Sequence, residues 1–179
     1  MKGGEFERQI SKYLTKWLTG KKRPYAFWRQ EASGGLGTIH KDNVIHSGDI
    51  KHLLDEGKFL TDFWSIECKT GYPKASFWHL FKRVKNFELK NFWEQAVRDA
   101  YRSKKQPMLI YRKKGQKVIV GIPKVLKQDI EIMFGDDLRA FGCITMRFDL
   151  QEFPSVCFYD LDDFFRIITP DRMKQFINV

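Results

Sequence analysis

The spacing of apolar positions changes period several times along this chain, and each change predicts an element. Phe6, Ile10, Tyr13, Leu14, Trp17 and Leu18 recur at helical spacing before Gly20, which predicts a helix over residues 3–19. Phe27 to Glu31 predicts a strand that runs into the glycine-rich segment Ser33-Gly34-Gly35-Leu36-Gly37. Residues 62–71 are aromatic and β-branched and stop at Gly71 and Pro73, which predicts a second strand. Alternation along it sets Phe63, Ser65, Glu67 and Lys69 on one face and Trp64, Ile66 and Cys68 on the other. From Asn91 to Ser103 the period is helical again, with Phe92, Ala96 and Ala100 on one stripe and Arg98 and Arg102 on another.

Beyond Pro107, Met108 to Arg112 predicts a buried strand, Lys113 to Gln116 a hairpin turn, and Lys117 to Ile122 its return. A helix is expected over Lys124 to Phe134, ended by Gly135. Strands are expected next over Cys143 to Phe148 and Val156 to Tyr159. Asp160 or Asp162 would cap a short helix over Phe164 to Ile168, and Pro170 to Ile177 would form the last one. Helices interleaved with strands predict an α/β protein with a mixed central sheet flanked by helices.

Composition narrows the class. A chain of 179 residues with 42% hydrophobic and 15% aromatic content is expected to form one domain with a packed core. No apolar run approaches the length of a membrane helix, and the N-terminus lacks a signal-peptide h-region. Cys68, Cys143 and Cys157 form no Cys-x-x-Cys pair, and His40, His46, His52 and His79 show no zinc-ligand spacing. A reduced intracellular, cytoplasmic setting is therefore expected, with no membrane partner. The net charge is +10 and unevenly placed: residues 70–127 hold fifteen Lys/Arg against three Asp/Glu, whereas residues 141–179 hold four against six. A localised basic surface suits a polyanion, and nucleic acid is the expected partner.

The candidate chemistry begins at Glu67-x-Lys69, a carboxylate and an ammonium pointing the same way from one strand. On its own the pair reads equally as an ion pair on a solvated face. A second acid, Asp49 in Ser47-Gly48-Asp49-Ile50, precedes it by eighteen residues, flanked by His46 and His52. Glu7 projects from the apolar stripe of the first helix, either as a first-turn residue favoured by the helix dipole or as a carboxylate aimed into a cleft. The loop at residues 33–37 lacks the Lys-Ser/Thr of a nucleotide-binding P-loop.

An Asp on one strand followed by Glu-x-Lys on the next resembles the PD-(D/E)xK nucleases, with Asp49, Glu67 and Lys69 in the matching positions and Gly48 where that pattern has Pro. Lys2-Gly3-Gly4-Glu5-Phe6-Glu7-Arg8 is similar to the N-terminal motif of the archaeal Holliday-junction resolvases, a branch of the same superfamily. There Glu7 matches a metal-site glutamate, with Glu5 as the alternative. The resemblance implies a restriction-endonuclease-like core over about residues 2–122 and a C-terminal α/β addition over about 123–179, together one nuclease domain. It implies an Mg²⁺-dependent DNA endonuclease, with Mn²⁺ substituting, acting on branched DNA in recombination as a homodimer. Glu7, Asp49 and Glu67 would be metal ligands, Lys69 a catalytic residue, and Gln95 a further site residue on the helix after Glu-x-Lys. Arg29 and Ser33 would touch DNA, joined by Lys74, Lys82, Arg83 and Lys85 of the basic segment. The alternatives are a sequence-tolerant or restriction-type endonuclease, and a non-catalytic DNA-binding module on the same fold.

Overall fold

Helix α1 (Gly3–Thr19) buries Phe6, Ile10 and Leu14, the stripe its sequence predicts. The computed structural model describes residues 3–30, 47–71, 87–135 and 142–178. Strand β1 (Phe27–Arg29) pairs antiparallel with β2 (Ile50–His52) in a short two-stranded sheet. The buried Thr15 hydroxyl accepts the Phe27 N–H at 3.2 Å, which ties that sheet to α1. After a 3-10 turn at Asp55–Gly57 comes α2 (Lys58–Phe63), joined without a loop to β3 (Trp64–Thr70).

The strand expected over residues 62–71 is therefore shorter at its start. Asp62 and Phe63 close a helix, and Phe63 packs edge-on against Trp64 and Phe176 instead of sharing the face of Glu67. A six-residue helix has too few turns to show a period, so the aromatic and β-branched composition around it reads as strand.

Helix α3 (Glu88–Ser103) begins three residues earlier than its pattern indicated and ends at Lys104 in the left-handed conformation. Next come β4 (Gln106–Arg112), β5 (Val118–Pro123), α4 (Lys124–Phe134), β6 (Ile144–Arg147), β7 (Ser155–Asp160), α5 (Leu161–Ile167) and α6 (Pro170–Ile177). Pro107 lies inside β4, not before it. The antiparallel ladder with β5 starts only at Leu109, so the missing N–H at 107 interrupts no β5 pairing. Of the two candidate caps for α5, Asp160 serves, accepting the N–H groups of Asp162 and Asp163 at 3.0 and 3.3 Å.

The main sheet is mixed, in the order β3-β4-β5-β7-β6, with β3 and β4 parallel and the other pairs antiparallel. One apolar core lies on the face of Trp64, Ile66 and Cys68 and joins α1 to α5 and α6 through Phe164, Phe165, Met173 and Phe176. The other lies under α3, where Phe92, Trp93 and Ala96 meet Leu109, Tyr111 and Phe158. The C-terminal segment expected as an addition contributes two strands to the central sheet and three helices, α4 through Ile130 and then α5 and α6, to its main core.

Candidate active site

Strand β3 is buried along most of its length, and Glu67 lies in that buried part, 3% exposed. A carboxylate removed from water needs partners. Lys69 Nζ stands 2.5 Å from Glu67 Oε1, and Gln95 of α3 donates its side-chain amide to the same oxygen at 2.8 Å. Burial, and then the charge of Asp49, push the Glu67 carboxyl up to about 7 against the pull of Lys69.

Asp49 is also buried and sits at the edge of β3. Its N–H donates to the Ile66 carbonyl at 2.7 Å, its carbonyl accepts the Gln30 N–H at 2.7 Å, and its Oδ2 accepts the Cys68 N–H at 2.8 Å. The second acid is thereby placed against the backbone between Glu67 and Lys69. Gly48 makes this approach possible. Its φ is +87°, and a Cβ there would meet the N and O of Ile66 at 2.8 Å each. Proline, locked near −65°, does not fit this backbone, which accounts for the departure from the PD-(D/E)xK pattern.

Glu7 of α1 comes toward the same acids. Burial first, and the charge of Asp49 second, raise its pKa. Arg29 opposes that rise from 4.0 Å, with its guanidinium lying over Gly4, where a Cβ would clash with it. The fold therefore gathers Glu7, Arg29, Asp49, Glu67, Lys69 and Gln95. Glu5 is exposed on α1, and His52 is engaged with Thr61 at 2.7 Å. Ser33, His46, Lys74, Lys82, Arg83 and Lys85 lie outside the described residues.

One neighbour escaped the sequence reading. Asp99, one turn beyond Gln95, is close enough to add to the rise of the Glu67 pKa, and it stands 4.0 and 3.9 Å from the exposed Arg98 and Arg102. Its four-residue spacing from Gln95 was the available signal.

Among the described residues no three His, Cys, Asp or Glu side chains form a group able to hold a metal ion. The donors that do converge, Asp49 and Glu67, are hard oxygen ligands whose mutual repulsion a cation would relieve. Magnesium commonly takes one or two carboxylates and keeps its waters, so the donor set fits such an ion.

A mixed sheet flanked by helices, with an aspartate docked beside Glu-x-Lys, defines the PD-(D/E)xK class of nucleases, whose members generally use divalent metals. Residues 1–175 match a family described as "Phage putative PDDEXK endonuclease", and the chain belongs to that family. No curated protein and no solved structure matches it. The match extends through the C-terminal helices, and its description names no junction substrate. Among the described residues no helix is long and apolar enough to cross a membrane.

Proposed function

We propose that this chain is a divalent-cation-dependent DNA endonuclease in which Asp49, Glu67 and Lys69 form the reaction centre. The observation that carries this reading is the seating of Asp49 on the backbone between Glu67 and Lys69, which brings residues eighteen positions apart into one pocket of charge. A magnesium or manganese ion held by Asp49 and Glu67 would relieve charge on the phosphoryl oxygens and acidify a bound water. Glu7 would add a third carboxylate near that ion. Lys69, fixed by Glu67, holds its ammonium where it orients the attacking water or faces the developing negative charge. Gln95 keeps Glu67 from rotating away. Arg98 and Arg102, both more than half exposed on α3, supply phosphate contacts at the rim, as do the lysines and arginines of residues 70–127.

The finer reading is a junction-resolving enzyme acting as a homodimer in recombination. What favours it is the N-terminal Lys2-to-Arg8 motif, together with the proximity of Glu7 to Asp49. Two symmetric cuts would call for a two-fold dimer.

The test is cleavage of branched, duplex and single-stranded DNA with and without Mg²⁺ or Mn²⁺. Asp49→Asn, Glu67→Gln and Lys69→Ala should each lower cutting by roughly a hundredfold or more, while binding in Ca²⁺ persists. Wild-type protein that binds DNA but never cuts would leave a binding module on a nuclease fold. Equal cutting of all forms by a monomer would remove the junction reading alone.

A further inference from the structure

Helix α3 reaches both segments that carry the acids. Gln95 donates to Glu67. Ser103 lies eight residues further along the same helix, in its last turn. Its hydroxyl donates to the Asp99 carbonyl at 2.9 Å, one turn back. With that proton committed, its oxygen is presented as an acceptor, and Ser47 Oγ donates to it at 2.5 Å.

Ser47 precedes Asp49 by two residues, and Gly48 between them lies against the Ile66 backbone. The segment 47–49 is thus pinned at one end to α3 by a hydroxyl pair. At the other end it is pinned to β3 by the Asp49 N–H and by the Cys68 N–H on Asp49 Oδ2. A serine near a helix end commonly bonds back to its own helix and does nothing more. Ser103 differs because its second partner is 56 positions away in sequence and two residues before Asp49.

We infer that Ser103 is a positioning residue: acting through Ser47, it holds Asp49 in register with Glu67, so that one helix sets the separation of both acids. This rests on the metal-dependent nuclease reading above. Outer contacts of this kind orient the groups that bind the ion, and their loss usually costs roughly ten- to a hundredfold in metal affinity or activity.

The experiment compares the full chain with Ser103→Ala, Ser47→Ala, the double variant and Ser103→Thr. Ca²⁺ binding is measured calorimetrically without DNA, Mg²⁺-dependent cleavage by steady-state kinetics, and folding by thermal melting. Ser103→Ala should weaken Ca²⁺ binding by about tenfold and lower kcat by a similar factor, with KM for DNA and the melting temperature close to the parent's. Ser47→Ala should match it, and the double variant should be no worse than either, because one shared bond is lost in all three. Ser103→Thr keeps a hydroxyl able to bond one turn back and should recover both quantities. Parent-like Ca²⁺ affinity and kcat in Ser103→Ala would overturn the inference, as would multiplying losses in the double variant or failure of Ser103→Thr to recover. A parent protein that neither binds the ion nor cuts DNA overturns the nuclease reading first and this inference with it.

Discussion

Glu67 is where burial and charge conflict most openly. In the unfolded chain a glutamate ionises near 4.5, whereas in the fold burial and Asp49 hold this carboxyl at about 7. Between those values the folded protein keeps a proton that the unfolded chain has released. Its stability therefore falls as pH rises from about 4.5 to about 7 and levels off above. Melting curves of the metal-free protein across this window should show that decline, and Glu67→Gln should flatten it. An unchanged slope in the variant would place the titration elsewhere, with Glu7, raised for the same reasons, next in line. A cation needs the ionised carboxylate, so its half-saturating concentration should climb as pH drops below about 7.

At the scale of elements, the loop before β2 depends on a backbone conformation. Gly48 combines a left-handed φ with van der Waals contact against Ile66, and the two constraints act together to lay Asp49 beside Cys68. Gly48→Ala should destabilise the protein by about 1–3 kcal/mol from the positive φ alone, with further loss from the clash, and should disturb Asp49. Gly48→Pro, which restores the residue usual in the PD-(D/E)xK pattern, should do more damage than alanine, because proline cannot adopt the required φ. Denaturant melts of the two variants decide this. A proline variant as stable as the parent would mean that the loop rearranges freely.

The whole molecule is bound together by its C-terminal third. Strand β7 is an interior strand of the sheet, and α5 folds back on α1, with the Trp17 indole N–H donating to the Ile168 carbonyl at 3.1 Å and both Tyr13 and Trp17 meeting Phe165 edge-on. Tyr159, Phe164, Phe165, Ile168 and Met173 are nearly or fully buried. At roughly 1.5–3 kcal/mol for each such side chain, their removal would exceed much of the roughly 5–15 kcal/mol by which a domain is ordinarily stable. A chain ending at Ile122 should therefore lack a cooperative melting transition by circular dichroism. A sharp transition in that fragment would show that the nuclease core stands without its C-terminal part.

Much of this protein was legible before any coordinates. Helices α1, α4 and α6 appear at the bounds their apolar spacing indicated, because long or well-punctuated amphipathic segments carry their own instructions. Asp49, Glu67 and Lys69 stood out as a group through their resemblance to the PD-(D/E)xK pattern, and the fold sets Asp49 against the backbone between the other two. Other features depended on distance in three dimensions. Alternation could show that Glu67 and Lys69 share a face, but not that Gln95 would reach the same oxygen or that Asp99 would stand behind it. The short helix α2 took its form from packing against the sheet rather than from a period of its own. The union of β7, α5 and α6 with the core was invisible because apolar spacing states which face a segment must bury, whereas the surface that covers it is chosen only when the chain closes on itself.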